Sequence, residues 1–455
     1  MKVDLLGGRV PRAYFTLLIS AIGSTILTTI YSTVDMICVG QYCGSDGAAA
    51  ISCMNPLWAL MFALGVLAGV GGAVMASNRR GVGNEGEARG YFTVSVIISL
   101  FFSLVLLACY TMLAEPMLRF FGAEGRVLEY ALDYMKPIAI VSPTFTMCAC
   151  LATFVRNDGE AVIPTVATAA GGVINIILDI LLVFTADLGA YGAGLATAIG
   201  QTVAFIIILS YFFLKRCSLR LVAPTRPFAK LGRIFTVGFS AFILELSFGI
   251  TVMVFNNVIR ESFPHSVEVY QGIYGIASSV MVMFFCLFNG IGTALQPIVS
   301  SNFGAGKRDR VVTAVKLGFI SALVLGILFF AAAELFPELI LKIYMDSSAD
   351  PEVLLIGPDI LRAYASALPV IGITIVCTYL FQSILRQNLS VCLSLLRGLV
   401  LPVAIILFTL LTGKIELIWW SVPIAEAITF LVALAFILIV HKRRGKADLS
   451  YEIQE

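Results

Sequence analysis

Long apolar segments recur along this chain, and they constrain its fold more than any other feature. Hydrophobic residues make up 59% of the 455 residues and charged residues 13%, whereas globular proteins average about 45 to 50% and about 25%. A bilayer core about 30 Å thick needs about 20 apolar residues per helix. We therefore predict an all-α polytopic membrane protein with twelve transmembrane helices. The predicted spans cover residues 14–40, 48–76, 91–114, 134–155, 162–184, 189–214, 234–258, 270–299, 312–334, 359–384, 390–412 and 418–441.

Basic residues are concentrated on one side of these spans. Most Lys and Arg residues, including Arg79, Arg80, Lys307 and Arg308, fall at connections that share a side with both termini. Since Lys and Arg favour the cytoplasmic side, we expect both termini to be cytoplasmic. The first apolar run is too long for a signal peptide core and is interpreted as a retained anchor. The expected location is the cell membrane, inner or plasma, crossed many times.

The two halves of the chain resemble each other. When the sequence is compared with itself, Gly69 and Gly71 of the second span fall on Gly290 and Gly292 of the eighth. Each glycine taken singly indicates only close helix packing, but the shared spacing indicates duplication. An even number of spans per repeat makes the repeats parallel. We predict two pseudo-symmetric six-helix lobes at 1–214 and 234–441, a cytoplasmic linker at 215–233 and a cytoplasmic tail at 442–455.

Four polar side chains of the first half are expected to converge. Asp35 lies in the first span and Asp179 in the fifth, each about five residues from the outer end, and Asn175 shares a helix face with Asp179. Thr197 lies at a similar depth in the sixth span. Oxygen ligands of this kind suit a small hard cation. Two neighbouring buried carboxylates could instead share a proton, because both resist being charged together. The prediction is an ion- or proton-coupling site, which would be a metal site if the ion is Na⁺.

The second half carries its polar groups at other points. Glu245 lies near the centre of the seventh span, where a charge costs about 2.5 to 3.5 kcal/mol on insertion scales. In the repeat comparison Asn256 falls on Asp35, and Glu426 falls on Thr197. We interpret Glu245, Asn256 and Glu426 as substrate-binding residues or a second proton site, with a purely structural hydrogen-bonding role for Glu245 as the alternative.

The chain lacks the residues that several classes of function require. His265 and His441 lie in a loop and at a helix end, and the ten cysteines are scattered mostly through apolar spans, so no enzyme, zinc site or cofactor is expected. No phosphate-binding G-x-x-x-x-G-K-[ST] run occurs, so we expect no ATPase subunit to be required. The basic clusters flank spans and lack interleaved aromatic residues, so no nucleic-acid partner is expected. The expected partners are the lipid bilayer and small molecules, and we expect a monomer.

Several segments together resemble the MATE (multidrug and toxic compound extrusion) family over nearly the whole chain. The segments are Thr25-Ile-Leu-Thr-Thr-Ile-Tyr-Ser-Thr-Val-Asp35, Gly69-Val-Gly-Gly-Ala, Asn175-x-x-x-Asp179, Gly192-Ala-Gly-Leu-Ala-Thr197, Gln296-Pro297 and Asn302-Phe-Gly-Ala-Gly306. The resemblance implies the two-lobe fold of the MATE/MOP superfamily, alternating access, and exchange of H⁺ or Na⁺ for amphipathic, often cationic drugs, and hence antibiotic resistance.

The resemblance also implies roles for individual residues. In family members the four positions that match Asp35, Asn175, Asp179 and Thr197 form a cation or proton site. Glu245 resembles the helix-seven acid of one branch, which also uses an acid in helix ten. Here the tenth span has only Asp359, at its outer edge. We therefore expect coupling through the first lobe.

A lipid-linked saccharide flippase or exporter of the same superfamily is the main alternative. Such cargo carries phosphate groups, which call for arginines in the cavity, and here the arginines are interpreted as lying at helix ends. A membrane enzyme and a channel are disfavoured further, because neither a nucleophile–base pair nor a filter-like loop occurs. The sequence leaves the physiological substrate open, and it does not separate H⁺ from Na⁺.

Overall fold

The structure, a computed structural model, describes residues 3–214, 217–262, 267–344 and 351–443. Within these ranges twelve helices are long and apolar enough to cross a membrane. The first six are α1 Val10–Gly44, α2 Ala49–Gly81, α3 Glu85–Met112, α4 Gly125–Asn157, α5 Val162–Thr185 and α6 Gly189–Phe213. The second six are α7 Pro227–Ser262, α8 Val280–Gly304, α9 Arg308–Leu335, α10 Leu355–Ser383, α11 Gln387–Thr412 and α12 Glu416–Val440. The predicted all-α fold with twelve spans is confirmed.

Some parts of the earlier expectations fall outside this description. His265, two residues of the predicted linker (215 and 216) and most of the predicted tail (444–455) lie outside the described residues. The helix that contains α8 begins at Val267 and therefore extends beyond the apolar span. Short helices at Ala114–Phe120 and Pro337–Tyr344 follow α3 and α9.

The connection between α1 and α2 is shorter than predicted. The sequence analysis left residues 41–47 outside the spans, but helical structure continues through them and is interrupted at Gly44, which has φ 70° and ψ −159°. Glycine reaches this conformation easily because it has no Cβ atom. The two membrane-spanning helices are therefore separated by a break at Gly44 and not by a loop.

The described chain forms two compact units. Unit 1 contains the chain up to Leu246 together with Ser300–Arg308, and unit 2 contains Ser247–Val299 together with the chain from Asp309 onward. The first part of α7 and the end of α8 thus pack with the first six helices. The lobe, linker and tail boundaries expected from the repeat stay a prediction.

Each unit has its own apolar core. In unit 1 the core includes Met54, Leu57 and Met61 of α2, each about 1% exposed, and it extends to α3 and α4. In unit 2 Phe255 of α7 stacks on Tyr274, with ring centroids 3.9 Å apart and an interplanar angle of 2°. Such aromatic pairs contribute about 0.5 to 1.5 kcal/mol beyond the area that they bury.

Glycines allow α2 and α7 to touch backbone to backbone within unit 1. A Cβ atom on Gly71 would lie 2.1 Å from the carbonyl oxygen of Ile234, and one on Gly238 would lie 2.1 Å from that of Leu67. Neither contact leaves room for a side chain. The packing interpretation of Gly71 is therefore supported, and the same holds where Gly304 at the end of α8 meets α2.

The N-terminal segment is bonded to two distant parts of unit 1. The Val3 N–H donates to the carbonyl of Gly159 at 2.7 Å. The carbonyl of Leu5 accepts from Nδ2 of Asn302 at 2.9 Å, and the carbonyl of Leu6 accepts from Nζ of Lys307 at 2.9 Å. The segment therefore ties the α4–α5 connection to the end of α8.

Gly238→Ala tests the contact between α2 and α7. Because the new methyl group meets backbone and not a flexible side chain, we expect destabilisation of about 1 to 3 kcal/mol, as is typical of overpacking. A clear drop in the melting temperature of the detergent-solubilised protein would show it.

Gly232→Ala is the matched control in the same helix. A Cβ atom on Gly232 meets nothing within 4 Å, and alanine favours a helix over glycine by about 1 kcal/mol. We expect an unchanged or higher melting temperature. Equal losses in the two variants would contradict the close contact at Gly238.

Candidate ion-coupling site

Asp35 is held by a tyrosine from another helix. It lies in α1 and is 6% exposed, and the hydroxyl of Tyr134 in α4 donates to its Oδ2 at 2.5 Å. Hydrogen bonds to ionised groups are shorter and about twice as strong as neutral ones. The other oxygen, Oδ1, is buried without a hydrogen-bond partner among the described residues.

Asn175 and Thr197 join α5 to α6. Nδ2 of Asn175 donates to Oγ1 of Thr197 at 3.1 Å. The Thr197 side chain also lies near the Tyr134 hydroxyl, so polar side chains follow one another from α5 through α6 and α4 to Asp35 in α1. Oδ1 of Asn175 is buried and has no partner within the described ranges.

Asp179 is the least satisfied member of the group. It is fully buried in α5, and neither carboxylate oxygen has a hydrogen-bond partner in the described part of the chain. Asp179 and Asp35 lie close enough to repel each other. A buried acceptor left without a donor costs about 1 to 3 kcal/mol, and more if it is charged. Counting Asp35 and Asn175, four buried oxygens here have no donor among the residues that the structure describes.

This donor set suits a small positive species. The unpartnered atoms are carboxylate and amide oxygens, the ligands that hard cations such as Na⁺ prefer. A proton shared by the two carboxylates would relieve the same repulsion. Among the residues described, either ion would supply the positive charge that the protein itself does not place here.

The helix changes its winding beside Asp179. Residues Ile180–Thr185 of α5 form a π-helix that begins directly after the acid. Single π-turns inside α-helices occur frequently at functional sites. The irregularity therefore agrees with a functional role for Asp179 and does not mark a weak point of the helix.

All four residues expected to converge do so, and one partner was missed. The structure brings Asp35, Asn175, Asp179 and Thr197 into unit 1, and it adds Tyr134. No pattern in the sequence distinguishes Tyr134 from the other tyrosines, because a tyrosine near a span end is usually an interfacial residue.

Glu245 lies where the sequence analysis placed it, near the centre of α7. Its side chain is half-buried, and the structure records no hydrogen bond to its carboxylate from any described residue. Asn256 lies in the same helix, but its side chain is outside the described set. The boundary between the units within α7 falls after Leu246, so Glu245 belongs to unit 1 and Asn256 to unit 2.

Glu426 has a partner that the sequence analysis overlooked. Nε and Nη2 of Arg397 donate to its Oε1 at 3.1 and 2.8 Å, and Oγ1 of Thr374 donates to its Oε2 at 2.8 Å. The expectation that the arginines lie at helix ends is wrong for Arg397, which lies near the middle of α11. The pairing explains the exception, since a buried charge needs a hydrogen-bonded counter-charge.

Tyr134→Phe tests the hydrogen bond to Asp35. Without the hydroxyl, Oδ2 is free for an incoming cation and no donor offsets the carboxylate charge. A hydrogen bond to a charged group contributes about 1.5 to 3 kcal/mol, so we expect cation uptake to shift at least about tenfold toward lower concentration. The cation dependence of the melting temperature measures this midpoint, because binding to the folded state stabilises it.

Tyr110→Phe is the matched control. The Tyr110 hydroxyl is also buried in unit 1 and donates to the carbonyl of Leu57 at 2.8 Å. Its loss lowers stability without touching Asp35, so the cation midpoint stays that of the intact protein. A midpoint that is the same in all three proteins would remove Tyr134 from the site.

Comparison with known proteins agrees with this fold. A multidrug export protein, MepA, of Staphylococcus saprophyticus is 26% identical over 434 residues, which cover 94% of each chain. A transporter of the MOP superfamily from Pyrococcus furiosus, described as having a binding pocket of reverse polarity, matches with a TM-score of 0.89 at 21% identity over 97% of this chain and 98% of that chain. An outward-facing multidrug resistance MATE transporter also gives 0.89 at 21% identity, over 98% and 99%.

The family model described as MatE matches residues 20–181 and 239–408, one segment in each half of the chain. The two matched segments cover well over half of the sequence, and they include Asp35, Asn175, Asp179 and Glu245. This multi-pass membrane protein therefore belongs to the MatE family of multidrug efflux transporters.

Proposed function

We propose that this protein exports amphipathic organic cations in exchange for Na⁺ or H⁺. The observation that carries the proposal is the set of four buried oxygens on Asp35, Asn175 and Asp179 that have no hydrogen-bond partner within the described chain. A transporter driven by an ion gradient needs a place inside the membrane where the ion is taken up and released. The relatives named as multidrug export proteins support drug-like cargo.

The coupling step follows from the charge of the site. With no ion bound, Asp35 and Asp179 repel each other, and uptake of a positive ion removes that repulsion. The protein alternates between inward- and outward-facing states, and the ion drives the cycle only if its affinity differs between them. We expect the ion to enter from outside, where its electrochemical potential is higher, and to favour the return to the inward-facing state.

Glu245 is the proposed contact for cationic cargo. It is half-buried near the middle of its span, so an organic cation can reach it while much of the surrounding water is excluded. Aromatic residues make up 11% of the chain, and their rings can bind organic cations through cation–π contacts. A lipid-linked saccharide would need a positive group, but the charge of Arg397 is already taken by Glu426.

Both termini are proposed to face the cytoplasm of a cell membrane, in line with the bias of Lys and Arg toward that side. A single chain contains the whole proposed cycle, so we propose that the monomer is sufficient and that no ATPase subunit takes part.

Efflux from proteoliposomes under an imposed Na⁺ or H⁺ gradient tests the coupling. We expect gradient-driven efflux of a cationic dye by the intact protein, and at least a tenfold loss in Asp35→Asn and in Asp179→Asn. Each substitution removes one of the two carboxylates that must take up the ion. Comparing the two gradients identifies the ion.

Glu115→Gln is the control, because Glu115 is an exposed acid whose partner is Arg119, at 2.8 Å. Efflux by this variant should equal that of the intact protein. If the folded intact protein moves no cationic dye under either gradient, the drug-antiport proposal fails, and a lipid-linked saccharide becomes the cargo to test.

Glu245→Gln separates cargo binding from ion coupling. We expect the apparent affinity for a cationic dye to fall about tenfold, equivalent to about 1.4 kcal/mol, while a neutral dye of similar size is unaffected. Dye binding to the purified protein, followed by fluorescence anisotropy, provides the measurement. Equal losses for both dyes would assign Glu245 a structural role.

A further inference from the structure

Unit 2 contains a buried acid whose acceptor oxygens are both satisfied. Glu426 accepts from Arg397 through Oε1 and from Thr374 through Oε2. The Arg397 side chain is 2% exposed and that of Glu426 is 5% exposed. Each residue lies about ten residues from the start of its span, roughly 15 Å along the helix. The pair is therefore near mid-membrane, and it differs sharply from the unpartnered acids of unit 1.

One member of the pair, Glu426, occupies a repeat-related position, whereas Arg397 falls on Thr168 and not on Asn175. In unit 1 the fifth and sixth spans are joined by Asn175 and Thr197, and in unit 2 the corresponding spans are joined by Arg397 and Glu426. Glu426 falls on Thr197 when the halves of the sequence are compared. Both fifth spans also contain a π-helix, at Ile180–Thr185 beside Asp179 and at Leu396–Val400 around Arg397.

The Arg397 guanidinium is held on two sides. Its carbon lies 5.2 Å from the ring centre of Phe285, in the geometry of a cation–π contact, and two of its nitrogens bond Glu426. An arginine stays charged inside proteins. Removing one partner of such a pair is strongly destabilising, because the other charge is left uncompensated. Both carboxylate oxygens of Glu426 thus already accept hydrogen bonds from the protein itself.

We propose that Arg397 is a tethered counter-ion, which occupies the place that a transported cation would take beside Glu426 and so confines ion coupling to unit 1. This inference rests on the proposed function and deepens it. Unit 2 is permanently neutralised at this point, whereas unit 1 gains and loses its positive charge in every cycle. The number of ions exchanged per cargo molecule is thereby set by Asp35 and Asp179 alone.

Arg397→Met removes the tethered charge while keeping a long unbranched side chain, and Arg397→Lys is its matched control. The readout is modification of Glu426 by dicyclohexylcarbodiimide, an apolar reagent that attacks protonated carboxylic acids, measured by mass spectrometry on the full-length protein. We expect no modification of Glu426 in the intact protein or in Arg397→Lys. In Arg397→Met we expect Glu426 to be modified, and an excess of the coupling ion to suppress this.

Ion stoichiometry gives the second readout. The gradient at which net cargo flux in proteoliposomes reverses measures the ions exchanged per cargo molecule. We expect Arg397→Met to exchange one ion more than the intact protein. The double variant Arg397→Met/Glu426→Gln, which buries neither charge, should keep the intact protein's stoichiometry, and it remains informative if Arg397→Met alone fails to fold.

Several results would overturn the proposal. They are modification of Glu426 in the intact protein, Arg397→Lys behaving like Arg397→Met, and loss of ion coupling in the folded double variant. An intact protein that shows no ion-coupled flux refutes the proposed function instead, and the modification experiment still decides whether Arg397 shields Glu426. If Arg397→Met leaves Glu426 unmodified and the stoichiometry unchanged, the pair has a structural role only.

Discussion

Charge inside a bilayer must be balanced within the protein, because no bulk water is available there to do it. The two units meet this requirement in opposite ways. In unit 2 the charge of Glu426 is balanced by that of Arg397. The charges at this position therefore cancel once the chain has folded. Asp35 and Asp179 have only the hydroxyl of Tyr134 as a recorded donor among the described residues. The charge of these two carboxylates must therefore be balanced by an exchangeable ion, and the uptake and release of that ion can drive a transport cycle.

The rest of unit 1 holds these acids in place. Asp35, Tyr134, Asp179 and Thr197 come from four different helices, so their geometry depends on how those helices pack. Glycines at helix contacts, such as Gly171 and Gly200 between α5 and α6, bring backbones together where even a methyl group would meet a carbonyl oxygen at 2.6 to 2.7 Å. A site made of single atoms from several spans is thus positioned by residues that have no polar side chain.

Much of this could be predicted from the sequence. Apolar run length defines the spans, because each must cover the same bilayer thickness, and an acid inside a span is informative because burial is costly. Asp35, Asp179 and Glu245 were found this way. Tyr134 could not be, since tyrosine is common at span ends and its hydrogen bond depends on the packing of α4 against α1. Arg397 was missed because its tolerance depends on Glu426, which is distant in sequence. The break between the first two spans was predicted, but the connection was drawn too long, because a single glycine at position 44 interrupts the helix where a loop was expected.

The bonds of the N-terminal segment have a practical consequence for studying the protein. Leu5 and Leu6 accept hydrogen bonds through their backbone carbonyls, from Asn302 and Lys307, so changing the side chains at positions 5 and 6 leaves these acceptors in place. An affinity tag fused directly before residue 3 would compete for the space beside Gly159. Deletion of residues 3–6 would remove these backbone groups altogether, and with them the bonds that link the α4–α5 connection to the end of α8.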